Sequence, residues 1–418
     1  MDIVVQKFGG SSLASVERIW RVANYAAETH RSGRATVVVV SARGDSTDEL
    51  LALAGEFGGG DFSDRTTRET DQLLVTGEVV SAALTAMAIE RLGVPAVSLT
   101  GAQAGIEVAG KYGGGVISSI DPKRILALLE AGNVVVVSGF QGTNAAGDMV
   151  TLGRGGSDTT AVALAAALDA SRCLIYTDVD GVYTADPRLV PTARAMPEVD
   201  VRLMAEMAFA GARVLHSRAV ELAAMRGMEL QVLSSFAPGA GTRVFEGSND
   251  AMLESDGAVV AVTHDFDVAR VLVRARRDLA ADILSALGSR SIPVDLVARS
   301  GPSEDEFRMG FTARLGDIPE VLAVLGDAFP EDDGQVRVDR DVAKISLVGM
   351  GLLNRPEYAA RMISTLAAEG IYTSWISTSQ LRVSAVIERA HGAHAVAVLH
   401  REFDLETAAV VADSMTAA

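Results

Sequence analysis

Ile3-Val4-Val5-Gln6-Lys7-Phe8-Gly9-Gly10-Ser11-Ser12 begins as a β-branched run, ends in two glycines and two serines, and is followed by Glu17 to Glu28, rich in helix formers. A strand that passes into a helix through side-chain-free backbone is the repeating unit of an α/β layered fold. The same rhythm returns at Thr36 to Val40, Ala96 to Leu99, Val134 to Val137 and Cys173 to Tyr176, with helical stretches such as Thr85 to Arg91 and Thr159 to Leu168 between the runs. Runs this apolar are buried on both faces, as central parallel strands are. The expected architecture is a three-layer αβα domain over residues 1–245.

The opening stretch also carries chemistry. Glycine backbone lets N–H groups approach a phosphate, and the helix beyond adds positive potential at its N-terminus. Lys7 supplies a mobile cation and the serines supply donors, although a capped strand-to-helix turn accounts for the same residues. A second glycine-rich helix entry lies at Thr151-Leu152-Gly153-Arg154-Gly155-Gly156-Ser157-Asp158-Thr159-Thr160. Arg154 brings a planar fork suited to a carboxylate or phosphate, and Asp158 is placed to orient Lys7 or a metal-bound water. Two such turns on one sheet face each other across the crevice at the carboxyl ends of its strands. The stretch from Tyr176 to Arg188 (Tyr-Thr-Asp-Val-Asp-Gly-Val-Tyr-Thr-Ala-Asp-Pro-Arg) reads as a long ordered loop with groups for a base and ribose, or as a pair of Asp-anchored turns. A P-loop ending in Gly-Lys-Ser/Thr and the His-Arg-Asp kinase set are both missing.

Composition narrows the partners. The 418 residues are nearly three times a typical domain, so two or three domains are expected. With 37 basic and 54 acidic residues the net charge is −17, which disfavours nucleic acid and anionic membrane. The single cysteine, Cys173, forms no intrachain disulfide and suits a reducing compartment. It sits in a strand run and is expected to be a buried small hydrophobe. The N-terminus lacks a secretory pattern, and no unbroken apolar run reaches the roughly 18 residues of a membrane span. A soluble cytoplasmic protein is the expectation.

Pro238 to Gly257, rich in Pro, Gly, Ser and Asn, reads as a linker. Beyond it the rhythm changes to two successive units, 258–340 and 341–418, each read as a ferredoxin-like βαββαβ module. The pair implies an internal duplication. His391, His394 and His400 lack carboxylate or thiol companions in sequence, so a solvated helix face is the expected reading rather than zinc. His216 follows an apolar run and is expected to be structural.

Lys7 to Ser12, Ser41-Ala42 with Thr47-Asp48, Thr76-Gly77-Glu78, Gly139-Phe140-Gln141-Gly142, Gly153 to Asp158, Thr177 to Arg188 and Gly211 to His216 together resemble the aspartate kinases of the amino-acid kinase superfamily, in order and spacing over essentially the whole chain. The resemblance implies an amino-acid kinase domain followed by two ACT modules, and an enzyme converting ATP and L-aspartate to 4-phospho-L-aspartate. It implies that Lys7 lies between the γ-phosphoryl group and the attacking carboxylate, with Asp158 fixing Lys7. Arg154 would take the α-carboxylate and Glu78 the α-ammonium, with Ser41 and Thr47 also on the amino acid. Gly9, Gly10, Ser11, Gly155 and Gly156 would hold phosphate oxygens. Thr177, Asp178, Tyr183, Arg188 and Arg213 match nucleotide-contacting positions. Mg2+ would be bound through the ATP phosphates, with no direct protein ligand. A homodimer through the ACT modules is implied, with a shorter chain starting at Met252 as a further partner.

The sequence also departs from that family. The usual Asp-x-Pro-Gly turn of the first module is Ala275-Arg276-Arg277-Asp278 here, and the segment usually like Asn-Ile-Asp-Met-Val-x-Gln is Pro293-Val294-Asp295-Leu296-Val297-Ala298-Arg299. In the second module the usual Pro-Gly has become Pro356-Glu357, and Tyr372-Thr373-Ser374-Trp375 replaces an Asn-Ile-Glu-Leu-like stretch. Side chains where a ligand needs glycine block its approach. Weak or absent feedback inhibition by lysine and threonine is therefore expected. Two alternatives stand beside the kinase reading. One is a relative with another acidic acceptor, because Arg43 follows Ser41-Ala42. The other is a regulatory amino-acid-binding partner with a non-catalytic kinase domain.

Overall fold

The computed structural model describes residues 1–58, 64–247, 259–275, 278–290, 292–300, 307–328 and 334–407. The apolar runs assemble into one eight-stranded sheet in the order Glu198–Asp200, Thr242–Phe245, Leu230–Ser234, Arg172–Thr177, Ile3–Phe8, Ala35–Val40, Val134–Ser138, Ala96–Leu99. From Leu230–Ser234 to Ala96–Leu99 every pairing is parallel, and Thr242–Phe245 joins antiparallel. Val37 to Val40 and Val134 to Val137 have no exposed surface, as strands covered on both faces require.

Alternation sorts the two faces. Phe8, Val38, Val40, Val134 and Val136 share a core with Ile19, Val22 and Ala26 of the helix Val16–Arg31 and with Ala82, Ala86 and Ile89 of the helix Asp64–Arg91. The opposite faces of the strands Ile3–Phe8, Ala35–Val40 and Arg172–Thr177 receive the helix Gly156–Ala167. This helix is buried all round because alanines and small polar residues let it sit deep in the layer. Cys173 is buried as expected, and burial pushes its thiol up to about 12.

Only the last quarter of the helix Asp64–Arg91, 28 residues long, was legible as helical, because its N-terminal half is polar. Against the expectation from unbroken apolar runs, Thr67–Arg91 is long and apolar enough to cross a membrane by length and composition. Half of its most apolar window is buried inside the fold, against the strands named above, which is the position of a core helix.

The register decides where the loops emerge. Phe8 lies beside Val40 and beside Tyr176, and Val40 lies beside Ser138. The segments beginning at Gly9, Ser41, Gly139 and Thr177 therefore all leave one carboxyl edge. A small sheet, Val116–Ile120, Ile106–Ala109, Gln141–Thr143, Met149–Thr151, brings a further glycine loop alongside the arginine loop: Gly115 N–H donates to Thr151 O at 2.9 Å.

The chain forms two compact units, and the second comprises 183–194, 210–212 and 250–418. Residues 183–194, within the expected span 1–245, cluster with the second unit. There Val262 N–H donates to Thr184 O at 2.8 Å, and Thr184 Oγ1 meets His400 Nε2 at 2.9 Å. Two four-stranded sheets make up the rest of this unit. One runs Asp295–Ser300, Phe307–Arg314, Val268–Ala275, Gly334–Asp339, and the other runs Val259–Asp265, Val342–Gly349, Arg382–Glu388, Thr373–Thr378. The expected boundaries 258–340 and 341–418 cut across the second sheet, because its first strand, Val259–Asp265, precedes the whole of the other module. That strand pairs antiparallel with Val342–Gly349, supplying the fourth strand that the sequence after residue 341 does not contain. The two modules are joined by a half-buried carboxylate: Asp295 Oδ2 accepts from Lys344 Nζ and Arg382 Nη1, both at 2.9 Å. His394 pairs with Glu369 on the surface, whereas His400 is fully buried, so the three histidines do not share a solvated face. Met252 and the second half of the stretch read as a linker, 248–257, fall outside the described residues, whereas in its first half Thr242–Phe245 is a strand of the large sheet and not linker.

Candidate active site

A cleft of about 680 Å³ opens at the carboxyl edge of the large sheet and is lined by Lys7, Ser41, Thr47, Glu78, Arg154, Gly155, Gly156 and Asp158 among others. Lys7 arrives from the end of the first strand and Asp158 from the first turn of the helix Gly156–Ala167; Nζ and Oδ1 stand 2.6 Å apart. Both side chains are about nine-tenths buried, at 12% and 11% exposure, so the pair is shielded from bulk water. Asp158 Oδ2 also accepts the His216 N–H at 3.3 Å. The expectation that His216 is structural finds its reason one turn away. Gly155 has φ +69°, and a Cβ there would lie 2.0 Å from the His216 ring. Only glycine lets the backbone pass.

Glu78 reaches the site because Gly77 and Ala42 are small. A Cβ on Gly77 would stand 2.8 Å from that of Ala42, and this close approach brings Glu78 Oε1 to the Ala42 N–H at 3.0 Å. Oε2 is buried with no hydrogen-bond partner. Burial pushes the Glu78 carboxyl up to about 7, in opposition to the Ala42 bond. A buried acceptor without a donor beside a cleft fits an incoming cationic group. Arg154 lies between Gly153 (φ +72°) and Gly155, is exposed, and makes no hydrogen bond or ion pair with another described residue. One cleft thus presents an unengaged guanidinium, a buried carboxyl with a spare oxygen and a sequestered lysine.

The remaining sequence-expected residues lie elsewhere. Gly9, Gly10 and Ser11 follow Lys7 along the rim; a Cβ on Gly10 would press on Ala42 O at 2.8 Å. Thr177 and Asp178 end the neighbouring strand, with Thr177 Oγ1 donating to Asp178 at 3.1 Å. Arg213 is exposed. Tyr183 and Arg188 belong to the second unit, where Arg188 clasps Asp186 at 2.7 Å. The sequence reading missed Asp71, Phe140 and Ser157, which line the cleft. Phe140 and Ser157 were quoted within motifs without a role, whereas Asp71 sits in a polar stretch indistinguishable from a solvated helix face. Among the described residues no three His, Cys, Asp or Glu converge on a metal position.

Comparison with known proteins follows this geometry. The amino acid kinase family matches residues 2–234, and an ACT domain matches residues 345–403. An aspartokinase of Geobacillus stearothermophilus is 43% identical over 415 residues, covering 98% of this chain and all of that protein. One from Thermus thermophilus is 42% identical over 414 residues, again 98% of this chain and all of its relative. Escherichia coli aspartokinase III, solved with aspartate and ADP, superposes with a TM-score of 0.81 over 96% of this chain and 99% of that one, at 24% identity, a likeness of fold.

Proposed function

The chain belongs to the aspartokinases of the amino acid kinase family, and from that premise we propose how its cleft carries out the ATP-dependent phosphorylation of L-aspartate to 4-phospho-L-aspartate, the first step of aspartate-family amino-acid synthesis. The observation that carries the reading is the Lys7–Asp158 pair sharing one cleft with Arg154 and Glu78. The acceptor carboxylate is already ionised at neutral pH, so no base is needed. The barrier is the approach of two anions, which at 4 Å repel by about 4 kcal/mol per unit-charge pair in an effective dielectric of 20. Lys7 sits between them, held in place by Asp158, while one carboxylate oxygen attacks the γ-phosphorus and the β–γ bridging oxygen departs with ADP. Glycine N–H groups at Gly9, Gly10, Gly155 and Gly156, with Ser11, cradle the phosphates, and the N-terminus of the Gly156–Ala167 helix favours the same negative charge. Thr177, Asp178 and Arg213 take the rest of the nucleotide. Mg2+ would enter on the ATP phosphates, where it would neutralise their charge. Aspartate-dependent ADP release, with hydroxylamine trapping the acyl phosphate, tests the whole reading; ADP release that ignores aspartate overturns it.

Arg154 takes the α-carboxylate, Glu78 the α-ammonium, and Ser41 and Thr47 the remaining polar atoms of aspartate. The raised Glu78 carboxyl gives this a pH signature. Below about 7 it is protonated and loses its attraction for an ammonium group, so kcat/KM for aspartate should fall as the pH drops through 7. Glu78→Gln should raise the aspartate KM about tenfold and flatten that limb. The sign for stability is opposite. A carboxyl raised in the folded state binds its proton more tightly there than in the unfolded chain, so the ligand-free protein loses stability as the pH rises from about 4.5 to 7. Thermal unfolding across that window should show the loss in the wild type and less of it in Glu78→Gln. The alternative acceptor loses its motive, because Arg43 donates to Leu13 O at 3.2 Å and is not among the cleft-lining residues.

The two C-terminal modules act as ACT-type modules in which feedback control is weakened. Asp278 is engaged by Arg299 and accepts the Ala280 N–H at 3.0 Å, so the carboxylate of the expected effector turn is already used. Trp375 fills the space over Gly310, where a Cβ would lie 2.4 Å from its ring, and Tyr372 is 81% exposed. Lysine and threonine titrated together should leave activity nearly unchanged, and strong joint inhibition below millimolar concentration would overturn this. A homodimer through these modules, a shorter partner chain from Met252 and a cytoplasmic location complete the proposal.

A further inference from the structure

We propose that Asp71 and Arg218 are positioning residues that preset the backbone carrying Arg154, so that affinity for aspartate depends on them while phosphoryl transfer does not. This rests on the reading of Arg154 as the cation that takes the α-carboxylate.

Arg154 stands between two glycines in left-handed conformation, Gly153 and Gly155. Glycine samples more backbone states than any other residue, so this short segment has little stiffness of its own. Arg154 has no partner among the described residues to aim its side chain. Its direction is therefore set largely by the backbone that leads into it, and that backbone is fastened by two groups from outside the segment.

On one side stands Asp71, 1% exposed, from the long helix Asp64–Arg91. Its Oδ2 accepts Thr151 N–H at 2.8 Å and Gly113 N–H at 2.9 Å, and its Oδ1 accepts the Thr151 hydroxyl at 2.8 Å. One carboxylate thus ties the strand end before Arg154 to the glycine loop beside it. On the other side stands Arg218, early in the helix Ser217–Arg226. It donates through Nη1 to Leu152 O at 2.6 Å and through Nη2 to Gly115 O at 3.0 Å. Its guanidinium is half-buried and serves two main-chain carbonyls, one on each loop. Two charged groups from distant parts of the chain thus grip the same pair of loops by their backbone atoms, within three residues of Arg154. The Gly113 carbonyl lies 3.1 Å from where a Gly153 Cβ would be, so the loops leave no slack between them.

Loosening either grip lets the arginine loop populate states that do not bind aspartate, and apparent affinity falls in proportion to the competent fraction. Asp71→Asn keeps the shape but replaces one acceptor by a donor facing N–H groups. Arg218→Gln removes the fork. Each should raise the aspartate KM about tenfold, with kcat within about threefold and the ATP KM within about twofold of wild type. In an Arg154→Ala background neither substitution should raise the aspartate KM further, because the side chain being positioned is gone. Thr151→Val, which deletes only the hydroxyl bond to Asp71, is the milder variant should Asp71→Asn fail to fold, with about a fivefold rise expected.

A normal aspartate KM in Asp71→Asn and Arg218→Gln, beside a raised one in Arg154→Ala, removes the positioning role and spares the reading of Arg154. A normal KM in Arg154→Ala itself removes that reading. Parallel losses in kcat, both KM values and melting temperature, or effects that add to those of Arg154→Ala, reduce Asp71 and Arg218 to structural supports and overturn the proposal.

Discussion

Lys7→Ala is expected to lower kcat on the order of 10³-fold, with a much smaller change in the aspartate KM. The size follows from the burial of the Lys7–Asp158 pair. A cation aimed at developing charge in a water-poor site is worth far more than in solution, and removing one such group from an enzyme typically costs about 10²–10³ in turnover. The substitution has a second effect that needs separating. Asp158 is left with its charge and without its cation, and breaking a buried pair costs about 3–5 kcal/mol of stability. Lys7→Met combined with Asp158→Asn removes both charges and should recover most of the melting temperature while activity stays low. Lys7→Ala turnover within tenfold of wild type, measured by ADP release below the melting temperature, would falsify the central role of Lys7.

Arg154→Ala should raise the aspartate KM about 10- to 100-fold and change kcat less. A hydrogen bond between ions contributes about 1.5–3 kcal/mol, and a bidentate fork uses two of them on one ligand. The exposure of Arg154 places the estimate toward the lower end, since solvent screens what it offers. The split between the two constants is diagnostic, because a group that holds the α-carboxylate equally before and during transfer changes KM alone. Arg154→Lys should recover only part of the loss, having charge without the planar fork. A fall in kcat with a normal aspartate KM would move Arg154 from the amino acid to the phosphoryl group.

The strand runs were legible because valine repeated at every position has only one stable environment, the middle of a covered parallel sheet. Val37 to Val40 and Val134 to Val137 announce that in any context. The glycine turns were legible for a related reason: no other residue passes His216 at Gly155, so the constraint is written as a residue type. Less could be read where a residue's meaning depends on a distant neighbour. Asp71 is one acid in a polar stretch until the fold brings Gly113 and Thr151 to it. The strand Val259–Asp265 lies next to the linker and was not assigned, because its partner Val342–Gly349 lies a whole module away.

What the sequence determined alone was the layered α/β class, the two glycine-rich helix entries and the identity of Lys7, Arg154 and Asp158 as charged groups of interest, whereas Glu78 came only from the family resemblance. These follow from local chemistry: side-chain shape, backbone freedom and charge. Tertiary structure decided that these four share one cleft, that Glu78 has a spare buried oxygen, that residues 183–194 cluster with the C-terminal unit, and that one module is inserted between two strands of the other. Those facts depend on which strands lie side by side and in what register, and pairing across hundreds of residues is a property of the whole packed core rather than of any segment within it.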